Sequence, residues 1–184
     1  MKTLSSDKRI RRAALDASFT CAALLLSFVE ALFPLALLPL PGFKAGLANI
    51  AILFTAFSLS VPDAAAVSLC RILLTFLFFG SPTSLLFSFS GGALVIVLLA
   101  LLNILGLQAK MSFTGISVLA AAAHNAGQLT AALFLTSTAV LSYAPALLAA
   151  SLVYGGLTGI LLSLLPDRLY TVPSHLIQQN GGKT

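Results

Sequence analysis

The stretch SLLFSFSGGALVIVLLALLNIL, residues 84–105, runs for twenty-two residues without one charged side chain. About 20 apolar residues form a helix long enough to cross the ~30 Å hydrocarbon core of a bilayer. Within lipid a lone segment must satisfy its own backbone N–H and C=O groups, and only a helix does so. Gly80-Ser81-Pro82 breaks the chain just before this run, and the polar link 106–112 follows it. The remaining chain reads the same way. Residues 13–38 form one apolar run ended by Pro39-Leu40-Pro41-Gly42, and residues 46–60 form a second stopped by Val61-Pro62-Asp63. Residues 63–79, 113–137 and 142–165 complete the set, the last stopped by Pro166-Asp167-Arg168. Proline and glycine at these points are signals that a continuing helix tolerates poorly. The expectation is an all-α, polytopic membrane protein: a basic N-terminus over 1–12, a six-helix bundle over 13–165, and a polar tail over 166–184. The second and third runs sit at or below the usual crossing length. A re-entrant pair, leaving four crossings, is the alternative.

Composition excludes the other broad classes. Of the 184 residues, 59% are hydrophobic and 8% charged, with a mean hydropathy of +1.05. A soluble domain is nearer half apolar and a quarter charged, so a water-soluble enzyme is excluded. Disorder is excluded too, because little of this chain prefers water to burial. Cys21 and Cys70 both lie inside apolar runs and suggest no disulfide framework. The first run is longer than the core of a cleaved signal peptide and is read as a retained span.

The net charge of +5 is a topology signal, not a nucleic-acid footprint. Lys2, Lys8, Arg9, Arg11 and Arg12 precede the first apolar run, and Lys110, Arg168 and Lys183 fall on the same side if six runs cross. Lys44 alone falls opposite among the loops. Basic loops stay cytoplasmic, so both termini are expected inside a bacterial cytoplasmic membrane.

Ionisable residues inside spans carry the functional signal, because burying one in lipid costs roughly 2.5–3.5 kcal/mol on insertion scales. Glu30, Arg71 and His124 stand out, joined by the amides Asn49, Asn125 and Gln128. His124 and Gln128 are four apart and share a helix face. With the N-terminus inside, Glu30 and Asn49 fall in the outer half, Arg71 and His124 near the midplane, and Gln128 a turn further out. An outward-facing polar pocket follows as an expectation. The plainer readings are a Glu30–Arg71 pair joining two helices, amides acting as interhelical glue, and Lys44 snorkelling to the surface. No metal site is expected, since there is no ligand spacing around His124 or the cysteines. Ala13 and Ala17 form a small-xxx-small stripe with Ala14, Ser18 and Ala22 beside it, and Gly155, Gly156 and Gly159 mark internal packing in the last run.

The segment Pro41-Gly42-Phe43-Lys44-Ala45-Gly46-Leu47-Ala48-Asn49-Ile50 resembles the signature of the Gx transporters, a family also labelled heptaprenyl diphosphate synthase component I. Arg71-Ile72-Leu73-Leu74, Gly80-Ser81-Pro82-Thr83, Phe87-Ser88-Phe89-Ser90-Gly91-Gly92, Gly115-Ile116-Ser117-Val118 and Ala123-His124-Asn125-Ala126-Gly127-Gln128-Leu129 agree with it. That family is similar to the substrate-capture S components of energy-coupling-factor (ECF) transporters. The resemblance implies a six-helix subunit that binds a vitamin-like small molecule near the outer face. It also implies docking, through Ala13 and Ala17, on a membrane coupling subunit driven by two cytoplasmic ATPases. Lys44, Asn49, Arg71, His124, Asn125 and Gln128 would then face the substrate, with Glu30 beside them.

The synthase label meets a chemical test. Prenyl transfer holds diphosphate through magnesium on clustered aspartates. Asp7, Asp16, Asp63 and Asp167 are far apart in sequence, and no Gly-rich phosphate loop is present. The chain is therefore expected to have no catalysis and no cofactor of its own. The leading expectation is a capture subunit for a small, anionic, vitamin-like or isoprenoid-related molecule. A non-catalytic membrane partner of a polyprenyl diphosphate synthase is the alternative. A proton-coupled secondary carrier using Glu30 and His124 is a third.

Overall fold

The computed structural model describes residues 2–32, 46–108, 110–135 and 138–165, with side chains from Arg9 onward. Every regular element among them is helical: α1 Lys2–Leu32, α2 Asn49–Ser58, α3 Val61–Phe79, α4 Pro82–Ile104, α5 Phe113–Leu135 and α6 Ala144–Ser163. A 3-10 turn over Thr138–Tyr143 leads into α6. All helices except α2 contain a stretch long and apolar enough to cross a membrane, as in a multi-pass membrane protein. Leu25, Leu77, Phe78, Ile104, Phe134 and Leu152 are widely exposed, as lipid-facing residues are.

The proline signals mark helix starts as much as stops. Ser60 caps α3 by accepting a hydrogen bond from the Asp63 N–H, with Pro62 in the first turn. Ser81 caps α4 in the same way from the Ser84 N–H, with Pro82 in the first turn. Proline suits that position because the first-turn N–H groups have no intrahelical acceptor. The third span thus begins at Val61, two residues before its expected start, and reaches nineteen residues. The first helix begins at Lys2, so the basic N-terminus continues into the span.

The ten-residue α2 covers only about 15 Å by itself. Its flanking turns complete the traverse. Glu30 near the end of α1 accepts a hydrogen bond from the Gly46 N–H at 2.6 Å, and Arg12 near its start forks onto Asp63 at 2.9 and 2.6 Å. Those tie points lie about 27 Å apart along α1, at 1.5 Å per residue. The segment from Gly46 to Ser60 therefore runs back along α1 between those two ties. Phe57 at the lower end of α2 stacks edge-on against Phe113 at the start of α5, with ring centres 5.0 Å apart. Phe19 and Phe54 do the same between α1 and α2 at 5.4 Å.

Close packing of α4, α5 and α6 depends on glycine. A methyl group at Gly159 would lie 2.4 Å from the Thr114 Cα, and one at Gly155 would lie 2.6 Å from the Val118 Cα. At Gly127 it would lie 2.4 Å from the Ser90 carbonyl oxygen. Hydrogen-only surfaces let the backbones meet, the usual basis of helix association in lipid. The largest apolar core joins Ile52, Leu53, Val95, Leu99, Ile116 and Leu162. It fills the half of the bundle nearest Arg12 and Lys110, the basic end, where the Arg12–Asp63 pair also lies, and Glu30, Asn49, Arg71, His124 and Gln128 lie toward the other end.

Candidate functional site: a buried polar layer

Five helices meet in one layer, and each contact is carried by a named group. Ser27 on α1 accepts a hydrogen bond from Arg71 Nη1 of α3 at 3.3 Å. One turn along α1, the Glu30 carboxylate accepts from the Gly46 N–H, which leads α2. Gly46 has φ +88°, a left-handed conformation that costs glycine little. A side chain there would lie 2.9 Å from the Asn49 Nδ2 and 3.4 Å from the His124 Cδ2. His124 on α5 in turn lies against Gly91 of α4, where a methyl group would come within 2.6 Å of Nδ1. Gly92 packs against Ser68 and Ile72 of α3, which closes the circuit.

The layer is shielded from solvent. Arg71 is 2% exposed, and Glu30, Asn49, His124 and Gln128 are all buried. His124 Nε2 and Gln128 Nε2 are in hydrogen-bond contact, as their four-residue spacing requires. The hydrogen bond to Gly46 holds Glu30 at the mouth of α2. The Arg71 guanidinium spends only Nη1 on Ser27; Nε and Nη2 have no hydrogen-bond partner among the described residues. The Asn49 Oδ1, Thr75 Oγ1 and Ser88 Oγ atoms are in the same state. Buried polar atoms are nearly always paired, so these atoms are exceptions, as are Asp16 Oδ1 and Ser117 Oγ nearer the basic end.

The structure brings together Glu30, Asn49, Arg71, His124 and Gln128. Asn125 goes elsewhere: its Nδ2 donates to the Leu147 carbonyl at 3.1 Å and the Ser151 hydroxyl at 2.9 Å, fastening α5 to α6. It points about 100° around the helix from His124, as adjacent residues do. Lys44 lies outside the described residues. Ala13 and Ala17 are exposed along α1, with Ala14, Ser18 and Ala22 exposed beside them. Among the described residues no group of His, Cys, Asp and Glu could hold a metal ion.

Several participants escaped the sequence reading. Ser27 lies three residues before Glu30 on the same face, a spacing that could have flagged it. Thr75 and Ser88 carried no such signal, because a hydroxyl in a membrane helix usually bonds its own backbone. Thr55 does so, donating to the Ala51 carbonyl.

No curated protein and no solved structure matches the chain. The sequence profile of one family spans residues 19–165, which includes every residue of the layer. Glu30 at the end of α1, the Gly46–Asn49 turn, Arg71, Gly91 and His124 all fall within that match, and the chain belongs to the heptaprenyl diphosphate synthase component I family.

Proposed function

We propose that this protein is the substrate-binding membrane subunit of an ATP-driven uptake system, resembling the S component of an ECF transporter. Its cargo is a small, anionic, vitamin-like or isoprenoid-related molecule. The observation that carries the reading is the layer itself: one buried guanidinium with two donor nitrogens unpaired among the described residues, among amide and hydroxyl groups from five helices. A helix-joining ion pair alone needs none of Asn49, His124, Gln128, Thr75 and Ser88. The ligand enters from the outer side, the end of the bundle away from the basic cluster. Both termini lie in the cytoplasm, and the exposed Ala13–Ala17 face of α1 receives the coupling subunit, which carries two ATPases. The chain itself performs no chemistry. It supplies a binding state, and the partner complex must favour a second state with lower affinity for release to occur.

The family's description favours a second reading, in which the protein is a non-catalytic membrane partner of a polyprenyl diphosphate synthase. The two readings differ in what touches α1. A photo-crosslinking residue at Ala13 or Ala17, used in native membranes, is expected to capture an integral membrane protein that co-purifies with two ATPases. Capture of a soluble synthase with clustered aspartates would support the second reading instead.

A further inference from the structure

Nε and Nη2 are the two donors along one edge of a guanidinium. They point the same way, about as far apart as the two oxygens of a carboxylate or phosphate. In Arg71 both are buried, and both lack a partner among the described residues, while the remaining nitrogen is held by Ser27. The side chain is thus anchored at one corner, with its Nε–Nη2 edge buried and unpaired among the described residues. Glu30, on the next turn of α1 from Ser27, accepts a hydrogen bond from the Gly46 N–H that leads α2. Asn49 Oδ1 is a buried acceptor with no donor among the described residues. A fitting ligand therefore offers two acceptor oxygens on one centre and, toward α2, an N–H or O–H.

We infer that the Arg71 edge is a subsite for a single oxyanion, a carboxylate or a phosphate monoester, on a ligand that also donates a hydrogen bond to Asn49. The inference rests on the binding role given to this layer and narrows its cargo. A lysine could replace the charge of Arg71 but not the fork, because an ammonium is a point charge. Loss of the paired charged hydrogen bonds is expected to weaken oxyanion binding by about tenfold to a hundredfold.

The test is proton–nitrogen NMR of the full chain in detergent with 15N-labelled arginine, the Arg71 Nε signal being assigned by its loss in Arg71→Lys. Sodium acetate and inorganic phosphate are titrated separately at constant ionic strength, with acetamide as the neutral comparison. A saturable downfield shift of the Arg71 signal with acetate or with phosphate, and not with acetamide, is expected; which anion acts names the class. No shift with either anion, or an equal shift with acetamide, overturns the inference. The readout is independent of transport. A shift without an ATPase partner would leave the subsite standing and remove the uptake reading. A bound metabolite lacking an oxyanion would do the reverse.

Discussion

At the scale of single residues, His124 is the best-fixed member of the layer. Gly91 and Gly46 leave room for its ring on two sides, and Gln128 holds Nε2. Gly91→Ala puts a methyl group 2.6–2.7 Å from Nδ1 and Cε1, and 3.0 Å from the His124 carbonyl oxygen. The ring must rotate out of the layer or α4 must move away from α5. Overpacking of this kind costs about 1–3 kcal/mol. The expected result is a lower melting temperature in detergent together with weakened ligand retention. The charged members were legible in the sequence because an ionisable group inside an apolar run is conspicuous at once. Asn125 shows the limit. Adjacent to His124 in sequence, it points about 100° away and serves α6, and residue type alone cannot tell those faces apart.

At the scale of elements, the helix count and order were legible because turn-forming residues separate runs long enough to cross a bilayer. Boundaries were less so. Val61-Pro62-Asp63 reads as a stop, yet the serine before it caps the helix that follows. The second span looked too short to cross, and as a helix it is. Its passage depends on the Glu30–Gly46 and Arg12–Asp63 contacts, which pair residues 16 and 51 positions apart. Such distant pairings leave no periodic trace in the chain. Glycine spacing in α6 was legible as a packing pattern, although it did not separate one glycine from the next. The structure does. Gly155→Ala and Gly159→Ala each drive a methyl group into the α5 backbone, and are expected to cost about 1–3 kcal/mol or more. Gly156 has nothing within 4 Å of such a methyl group. Gly156→Ala is therefore expected to be neutral, or stabilising by up to about 1 kcal/mol through helix propensity. Thermal melts of the three variants check the contrast; equal destabilisation at all three would contradict this packing.

At the scale of the molecule, the bundle divides into two unlike halves. Near Arg12 and Lys110 the interior is mainly Ile, Leu, Val and Ala with small hydroxyls and the buried Asp63 carboxylate that Arg12 pairs with. Away from that end, five helices contribute the charged and amide groups of one layer. Burying Arg71 with two donors unpaired among the described residues lowers stability, and under the proposed reading a ligand that engages them would return that stability as affinity. Native mass spectrometry of the purified chain tests this claim most directly. The account predicts one small molecule per chain, kept by Asn125→Ala and lost by Arg71→Ala while the latter remains folded. A wild-type chain that carries no small molecule but holds a prenyl synthase, or an Arg71→Ala variant that keeps its ligand, would contradict it.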